Sequence, residues 1–126
     1  MNNEETLQMA VVKYIQLSYP KSRFCASLGG IRTGIKQSIK AVKTGYVKGF
    51  PDLQVTEARG GYFGLFIELK TIKGRPTIYQ TEWLKDLKER GYAAYICKGL
   101  PEALDTIDSY MSQSKTKSCM CSSKKL

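Results

Sequence analysis

Two carboxylates and an ammonium group stand where two apolar segments of the chain meet their turns. Asp52 follows a Gly-Phe-Pro turn, and Glu68 and Lys70 end an apolar run that starts at Phe63. A period of two places Glu68 and Lys70 on one face of a strand. Charged groups are costly to bury without a partner, and a second carboxylate makes a metal ion a natural partner.

The residue types indicate which metal and which chemistry. Mg²⁺ and Mn²⁺ take oxygen ligands, which Asp52, Glu68 and the backbone carbonyl of Leu69 can supply. A bound ion would lower the pKa of its water and neutralise charge developing on a phosphate. Lys70 would orient the attacking water or stabilise the transition state. The alternative is an Asp–Lys–Glu ion-pair network at a strand end, without chemistry.

The composition narrows the possible reactions. The chain has no histidine, which excludes histidine general bases, Ser-His and Cys-His nucleophile pairs and His-ligated zinc. The four cysteines show no C-x-x-C spacing, which argues against a zinc site or disulfide framework and fits a reducing cytosol. We expect Cys25 and Cys97 to pack as small hydrophobic side chains. Cys119 and Cys121 lie in the basic tail, and their role stays open.

The chain is strongly basic, with a net charge of +9. Part of this charge lies in the Ser/Lys-rich segment 113–126, which carries four lysines and no acid, but the rest of the chain is also basic. Such an excess favours a polyanionic partner, above all nucleic acid, although a solvated basic surface is the alternative. The candidate phosphate contacts are Arg32, Lys36, Lys40, Lys43, Lys73 and Arg75.

Hydrophobic periodicity predicts elements that would position the charged residues. It indicates helices over residues 4–18, 35–43, 78–90 and 101–111, and strands over 22–28, 52–57, 62–70 and 92–97. The turn at Arg59 predicts a hairpin between the second and third strands. Antiparallel pairing would bring Asp52 to the end of the hairpin where Glu68 and Lys70 lie. The third strand should be buried on both faces, through Phe63, Leu65, Phe66, Ile67 and Leu69.

Two further polar residues are predicted to approach this cluster. Gln80 lies on the inward face of the third helix, where it also completes a capping box with Thr77. Glu4 lies one turn before Leu7, near the edge of the apolar face of the first helix, and Glu5 is the alternative acid. An acid in a first helical turn also simply complements the helix dipole.

In combination, these residues resemble the VRR-NUC domain of the PD-(D/E)XK nuclease superfamily. The matching elements are Gly45 with Gly49-Phe-Pro-Asp52, then Gly64-Leu-Phe-Ile-Glu68-Leu-Lys70, then Gln80 before Trp83-Leu84, and Gly91-Tyr92. The resemblance covers roughly residues 4–108. The chain departs from the pattern at Leu28-Gly-Gly-Ile-Arg32, where an Asn-Gly-like element is expected, and this puts the substrate contacts of that loop in doubt.

The resemblance implies an α/β fold with a restriction-endonuclease-like core, a mixed sheet of about four strands flanked by helices in the order α-β-α-β-β-α-β-α. The domain would span residues 1–112, followed by a disordered basic tail over 113–126. Asp52 and Glu68 would bind Mg²⁺ or Mn²⁺, Lys70 would be catalytic, and Gln80 and Glu4 would support the site.

The implied activity is a metal-dependent DNA endonuclease, selective for branched structures and similar to a Holliday junction resolvase. The implied partners are DNA and a second copy of the chain, with no membrane, in the cytoplasm of a bacterial or phage-infected cell. The alternatives are a nucleic-acid-binding module without catalysis and a nuclease acting on another DNA or RNA substrate.

Overall fold

The computed structural model describes residues 3–27 and 35–117 of the chain. The elements follow the predicted order α-β-α-β-β-α-β-α. The helices are α1 (Glu4–Ser18), α2 (Ile35–Lys43), α3 (Ile78–Glu89) and α4 (Leu100–Met111). The strands are β1 (Phe24–Ala26), β2 (Leu53–Val55), β3 (Leu65–Lys70) and β4 (Ala93–Lys98).

The four strands form one mixed sheet in the order β1-β2-β3-β4. β1 pairs antiparallel with β2, and β2 pairs antiparallel with β3, with Leu53 opposite Ile67. β4 pairs with β3 in parallel, after the crossover through α3. The predicted hairpin and the predicted mixed α/β sheet are therefore confirmed.

β3 is the centre of the molecule, because helices cover it on both faces. Leu65, Ile67 and Leu69 lie in a core with residues of α1 and α4, including Val11 and Ile107. The alternate residue Phe66 lies in a second core against α3. Every residue of β3 is buried, including Glu68 and Lys70. The packing thus holds a carboxylate and an ammonium group away from water.

Two predicted burials are wrong. Phe63 is 62 % exposed, because the chain before β3 is still in the turn and the phenyl ring lies on the surface across Gly91 and Tyr92. Cys25 is exposed because β1 is a short edge strand, whereas Cys97 is buried as expected.

The tail prediction is wrong for its first five residues, 113–117. The backbone N–H of Thr116 donates to the carbonyl of Ala58, and that of Gly60 donates to the carbonyl of Ser114. Lys115 forms an antiparallel bridge with Arg59. Backbone pairing of this kind needs no apolar side chains, which is why the polar composition of the segment did not indicate it.

α2 forms where its periodicity predicts it. Its three large apolar side chains, Ile35, Ile39 and Val42, are nevertheless all exposed. The periodic pattern thus predicted the helix correctly, but it did not show whether the apolar face of the helix is buried. None of the helices in the described part of the chain combines the length and apolarity that a membrane crossing requires.

Candidate active site

The antiparallel pairing of β2 and β3 brings Asp52 to the end of β3. Asp52 immediately precedes β2, and its Oδ2 accepts a hydrogen bond of 2.7 Å from the backbone N–H of Leu69. In an extended strand the N–H and C=O of one residue point to the same side. The carbonyl of Leu69 therefore points to the side of β3 on which Asp52 lies.

Glu68 is the most deeply buried charged residue of the cluster, with 1 % of its surface exposed. Its Oε2 accepts a hydrogen bond of 2.8 Å from Gln80 Nε2 and lies 3.6 Å from Lys70 Nζ. Its other oxygen, Oε1, is buried without a hydrogen-bond partner among the described residues. A buried polar atom without a partner is costly and needs an explanation.

Gln80 uses both ends of its amide group. Its Oε1 accepts from the backbone N–H of Thr77, while the hydroxyl of Thr77 accepts from the N–H of Gln80, which completes the predicted capping box. Its Nε2 donates to Glu68. Because the cap fixes the amide at the start of α3, it also fixes the orientation of the Glu68 carboxylate.

Lys70 lies between two carboxylates. Its Nζ is 3.6 Å from Glu68 Oε2 and 3.6 Å from Glu4 Oε2, and its side chain is 8 % exposed. Of the two acids in the first turn of α1, it is Glu4 that pairs with Lys70. Glu5 lines the adjoining groove, a cavity of about 420 Å³ along α1 that opens onto Asp52.

The burial of these carboxyl groups changes their acidity. Burial raises the pKa of Glu68 from its ordinary value of 4.5 to about 8, and the nearby charge of Asp52 adds to this rise. Burial also raises the pKa of Asp52, while the hydrogen bond from Leu69 opposes that rise. Two neighbouring carboxyl groups with raised pKa values form a site that a cation would stabilise.

The residues present fit a hard divalent cation. Within residues 3–27 and 35–117, no three or more His, Cys, Asp and Glu side chains form a metal-binding group. A cage of that kind is not required, since Mg²⁺ commonly takes one or two carboxylates and completes its shell with water and substrate phosphate. Asp52, Glu68 and the Leu69 carbonyl would hold the ion. The unpartnered Oε1 of Glu68 is the observation that favours this fit.

The predicted phosphate contacts are placed unevenly around the cluster. Lys73 and Arg75 follow β3 directly in an exposed segment, so they lie beside the site. The three lysines of α2 are exposed on a helix that ends well before Asp52 in the chain, and no hydrogen bond or ion pair within residues 3–27 and 35–117 joins them to the cluster: Lys36, Lys40 and Lys43. Arg32 and the remainder of loop 28–32 lie outside the described residues, as do Cys119 and Cys121.

One feature beside the cluster was missed by sequence reasoning. A cavity of about 610 Å³ lies between the start of α1, the turn after β3 and the start of α4. Ile72, an apolar residue inside the otherwise polar segment Thr71-Ile-Lys-Gly-Arg75, is the one sequence signal that points to it.

Comparison with known proteins gave one matching family model and a solved structure of similar fold. The model of the VRR-NUC domain matches residues 3–101. A solved structure of a VRR_NUC domain protein is similar, with a TM-score of 0.77, 27 % identity, and coverage of 90 % of this chain and 91 % of that chain. A search of curated protein sequences gave no match.

Proposed function

The chain belongs to the VRR-NUC domain family of nucleases, and from this premise we propose that it is a Mg²⁺- or Mn²⁺-dependent endonuclease that cuts DNA at the end of β3. Its phosphodiesterase class follows from the family. The metal dependence, the DNA substrate and the residues that act are the parts that we propose.

The observation that carries the proposal is the unpartnered oxygen of Glu68. Glu68 is 1 % exposed, its Oε1 has no N–H or ammonium donor among the described residues, and its side chain shares a hydrogen bond with the carboxyl group of Asp52. Losing the shared proton in such a site is unfavourable unless a cation replaces it. A divalent cation between Asp52 and Glu68 would remove both the unpaired oxygen and the repulsion of the two carboxylates. Binding of a cation would thus explain why the Glu68 carboxylate is buried.

Each residue of the cluster has a distinct role in this proposal. Asp52, Glu68 and the Leu69 carbonyl hold the metal, which when bound polarises the phosphate and a nucleophilic water. Lys70 donates hydrogen bonds to the attacking water or to the phosphate oxygens as their charge grows. Gln80 holds the Glu68 carboxylate in place, and Glu4 holds the ammonium group of Lys70, so both are positioning residues.

We propose branched DNA, such as a four-way junction, as the preferred substrate, and a homodimer as the active form. A dimer with two-fold symmetry carries two identical sites, which suits paired cuts in a junction. The exposed face of α2 supports this assembly, because Ile35, Ile39 and Val42 recur at steps of four and three and are 80 %, 51 % and 63 % exposed. An apolar stripe on a solvent-facing helix marks an interaction surface.

The dimer has a direct test. We expect Ile39→Asp to convert the protein to a monomer in light scattering and to replace paired junction cuts by single nicks. Leu17→Asp is the matched control, since Leu17 is a 72 % exposed residue on another helix. An unchanged mass for Ile39→Asp would remove α2 from the interface.

The nuclease itself is tested on a panel of labelled substrates: a four-way junction, a 5′ flap, a splayed arm, plain duplex, single-stranded DNA and single-stranded RNA. Cleavage of the branched DNAs with Mg²⁺ or Mn²⁺, lost in EDTA, is the expected result. Binding to the panel without metal-dependent cutting would indicate a binding module instead. Preferred cutting of RNA or plain duplex would overturn the proposed substrate.

A further inference from the structure

The cavity of about 610 Å³ beside the catalytic cluster has the character of a ligand site. Its wall is mostly apolar, with Leu7, Ile72, Leu100 and Pro101, and its polar lining includes Thr6. Ligand sites typically combine about 300–1,000 Å³ of mostly apolar space with a few placed polar groups. The size and the lining both fall within this description.

The polar lining can recognise the edge of a planar ligand. Asn3 Oδ1 accepts a hydrogen bond of 2.7 Å from the backbone N–H of Thr6, which directs the acceptor end of the amide into the cap and leaves its NH₂ group to donate. The hydroxyl of Thr6 can donate or accept. The lining thus offers both types of hydrogen-bonding group beside an apolar wall.

Ile72 forms the lip of the cavity. It lies in the turn closed by the hydrogen bond of 2.9 Å from the N–H of Gly74 to the carbonyl of Thr71, and it is 70 % exposed. A Cβ at Gly99 would lie 2.7 Å from Ile72 Cδ1, so the absence of a side chain at Gly99 is what lets Ile72 rest there. An ordered turn therefore presents a large apolar side chain at the mouth of the cavity.

The cavity is joined to the catalytic cluster through Lys70 and Glu4. The N–H of Gly99, in the cavity wall, donates to the carbonyl of Lys70 over 2.9 Å. Glu4 pairs with Lys70 and lies between Asn3 and Thr6 in the sequence. Lys73 stands at the rim, where its ammonium group complements a phosphate. The cavity therefore adjoins the chain segments that carry Lys70 and Glu4, although neither side chain lines it.

We infer that this cavity binds one unpaired nucleotide next to the scissile phosphate, with its base against Ile72 and Leu100 and its edge hydrogen-bonded to Asn3 and Thr6. The inference rests on the proposed nuclease function and deepens it. A base in a continuous duplex must first leave its stack and its partner, which costs free energy. A nucleotide at a branch point is held less firmly by stacking and pairing, so moving it into the cavity costs less free energy. The cavity therefore favours branched over continuous DNA.

The test uses the position of a missing base. In EDTA, binding of the full chain to a flap and a four-way junction is measured by anisotropy while an abasic nucleotide is moved one position at a time across the branch point. We expect one position to weaken binding about tenfold, since the apolar contact of a single base is lost there. Equal binding at all positions would overturn the inference.

Two variants assign that effect to the cavity. Ile72→Ala removes the lip and Thr6→Val removes the hydroxyl at nearly constant shape. Both should weaken binding of the intact substrate and reduce its sensitivity to the abasic nucleotide, whereas Leu17→Ala, at an equally exposed residue, should change neither. Full sensitivity in both Ile72→Ala and Thr6→Val would place the base elsewhere and overturn the inference.

Cleavage in Mg²⁺ is measured separately on the same substrates with wild-type protein. Cleavage of branched DNA without any abasic effect overturns the nucleotide cavity and leaves the nuclease standing. An abasic effect without cleavage supports the cavity and overturns the nuclease. Failure of the nucleotide cavity and failure of the proposed nuclease function therefore give different experimental results.

Discussion

The two ends of β3 hold charged groups in opposite ways. At the hairpin end, Arg59 pairs with Glu57 at 3.1 Å and donates to the carbonyls of Met111 and Gln113 at 3.1 and 3.2 Å. These side chains remain partly exposed, with 20 % of Arg59 and 24 % of Glu57 accessible. At the other end, Glu68 and Lys70 are buried at a separation of 3.6 Å, and Glu68 Oε1 has no donor in the described part of the chain.

In the proposed function, the ion pair at the hairpin end is structural and the one at the far end serves the reaction. At the hairpin end, Arg59 donates hydrogen bonds to backbone carbonyls of the same chain, so it stabilises the fold. The cluster at the far end leaves an oxygen unpaired and raises the pKa of Glu68, so it lowers the stability of the metal-free chain. We interpret this arrangement as a site that a cation and a substrate complete.

The largest expected effect is that of Lys70→Ala on cleavage. Since we propose that Lys70 stabilises charge in the transition state, we expect the single-turnover rate to fall by about 10³-fold, with DNA binding in EDTA retained. Arg59→Met is the matched control from the other end of the strand and should cut at the wild-type rate. A Lys70→Ala variant that cuts as fast as wild type would contradict the proposed mechanism.

Glu68→Gln should stabilise the metal-free protein in a pH-dependent way. In the wild type, the folded chain retains a proton on Glu68 between pH 4.5 and about 8 that the unfolded chain releases, so the free energy of unfolding falls as pH rises through this window. Glutamine has no such proton. We expect the variant to gain on the order of 3 kcal/mol over wild type at pH 8.5 and much less at pH 5.

Urea denaturation in EDTA at both pH values measures this difference. The same variant should lose cleavage, because it lacks one of the two carboxylates that we propose bind the metal. A Glu68→Gln variant that is less stable than wild type at pH 8.5 would show that the Glu68 carboxylate has adequate partners within the fold. The two ends of β3 would then not differ in the way described above.

Arg59→Met should reverse the pattern, with a cost in stability and none in activity. The variant keeps the apolar stem but removes the donors to Met111 and Gln113 and the partner of Glu57. We expect a loss of about 2 kcal/mol in unfolding free energy by urea denaturation. If the folded Arg59→Met variant cut DNA as slowly as Lys70→Ala, the hairpin end would also serve the reaction.

The smallest effect is expected from shortening the tail. Compared with truncation after residue 117, truncation after residue 112 removes the pairing of 114 and 116 with the hairpin and should cost about 1 kcal/mol. Thermal melting of the two truncated proteins compares them directly. Equal melting temperatures would show that this pairing contributes nothing to the fold.

The fold and the proximity of Asp52, Glu68 and Lys70 were accessible from the sequence because both depend on local patterns. The apolar run of β3 fixed a buried strand, its period of two put Glu68 beside Lys70, and the turn at Arg59 implied an antiparallel partner that starts at Asp52. The capping box of Thr77 and Gln80 likewise follows from spacing alone.

What escaped prediction depends on contacts between distant segments. The exposure of Phe63 reflects where β3 begins and the open surface at Gly91. The pairing of Lys115 with Arg59 is between backbones and leaves no trace in side-chain type. The exposed stripe of α2 has the same periodicity as a buried one, and the cavity at Ile72 requires three segments that are far apart in the chain.

The most direct test of the central claim is the position of a metal ion. A crystal of the protein grown with Mn²⁺ at pH 8 would be measured at the manganese absorption edge, where anomalous scattering locates the ion. We predict a peak bound by the carboxylates of Asp52 and Glu68 beside the Leu69 carbonyl. A manganese peak elsewhere, with Glu68 Oε1 still unpaired, would contradict the assignment of this end of β3 as the catalytic metal site.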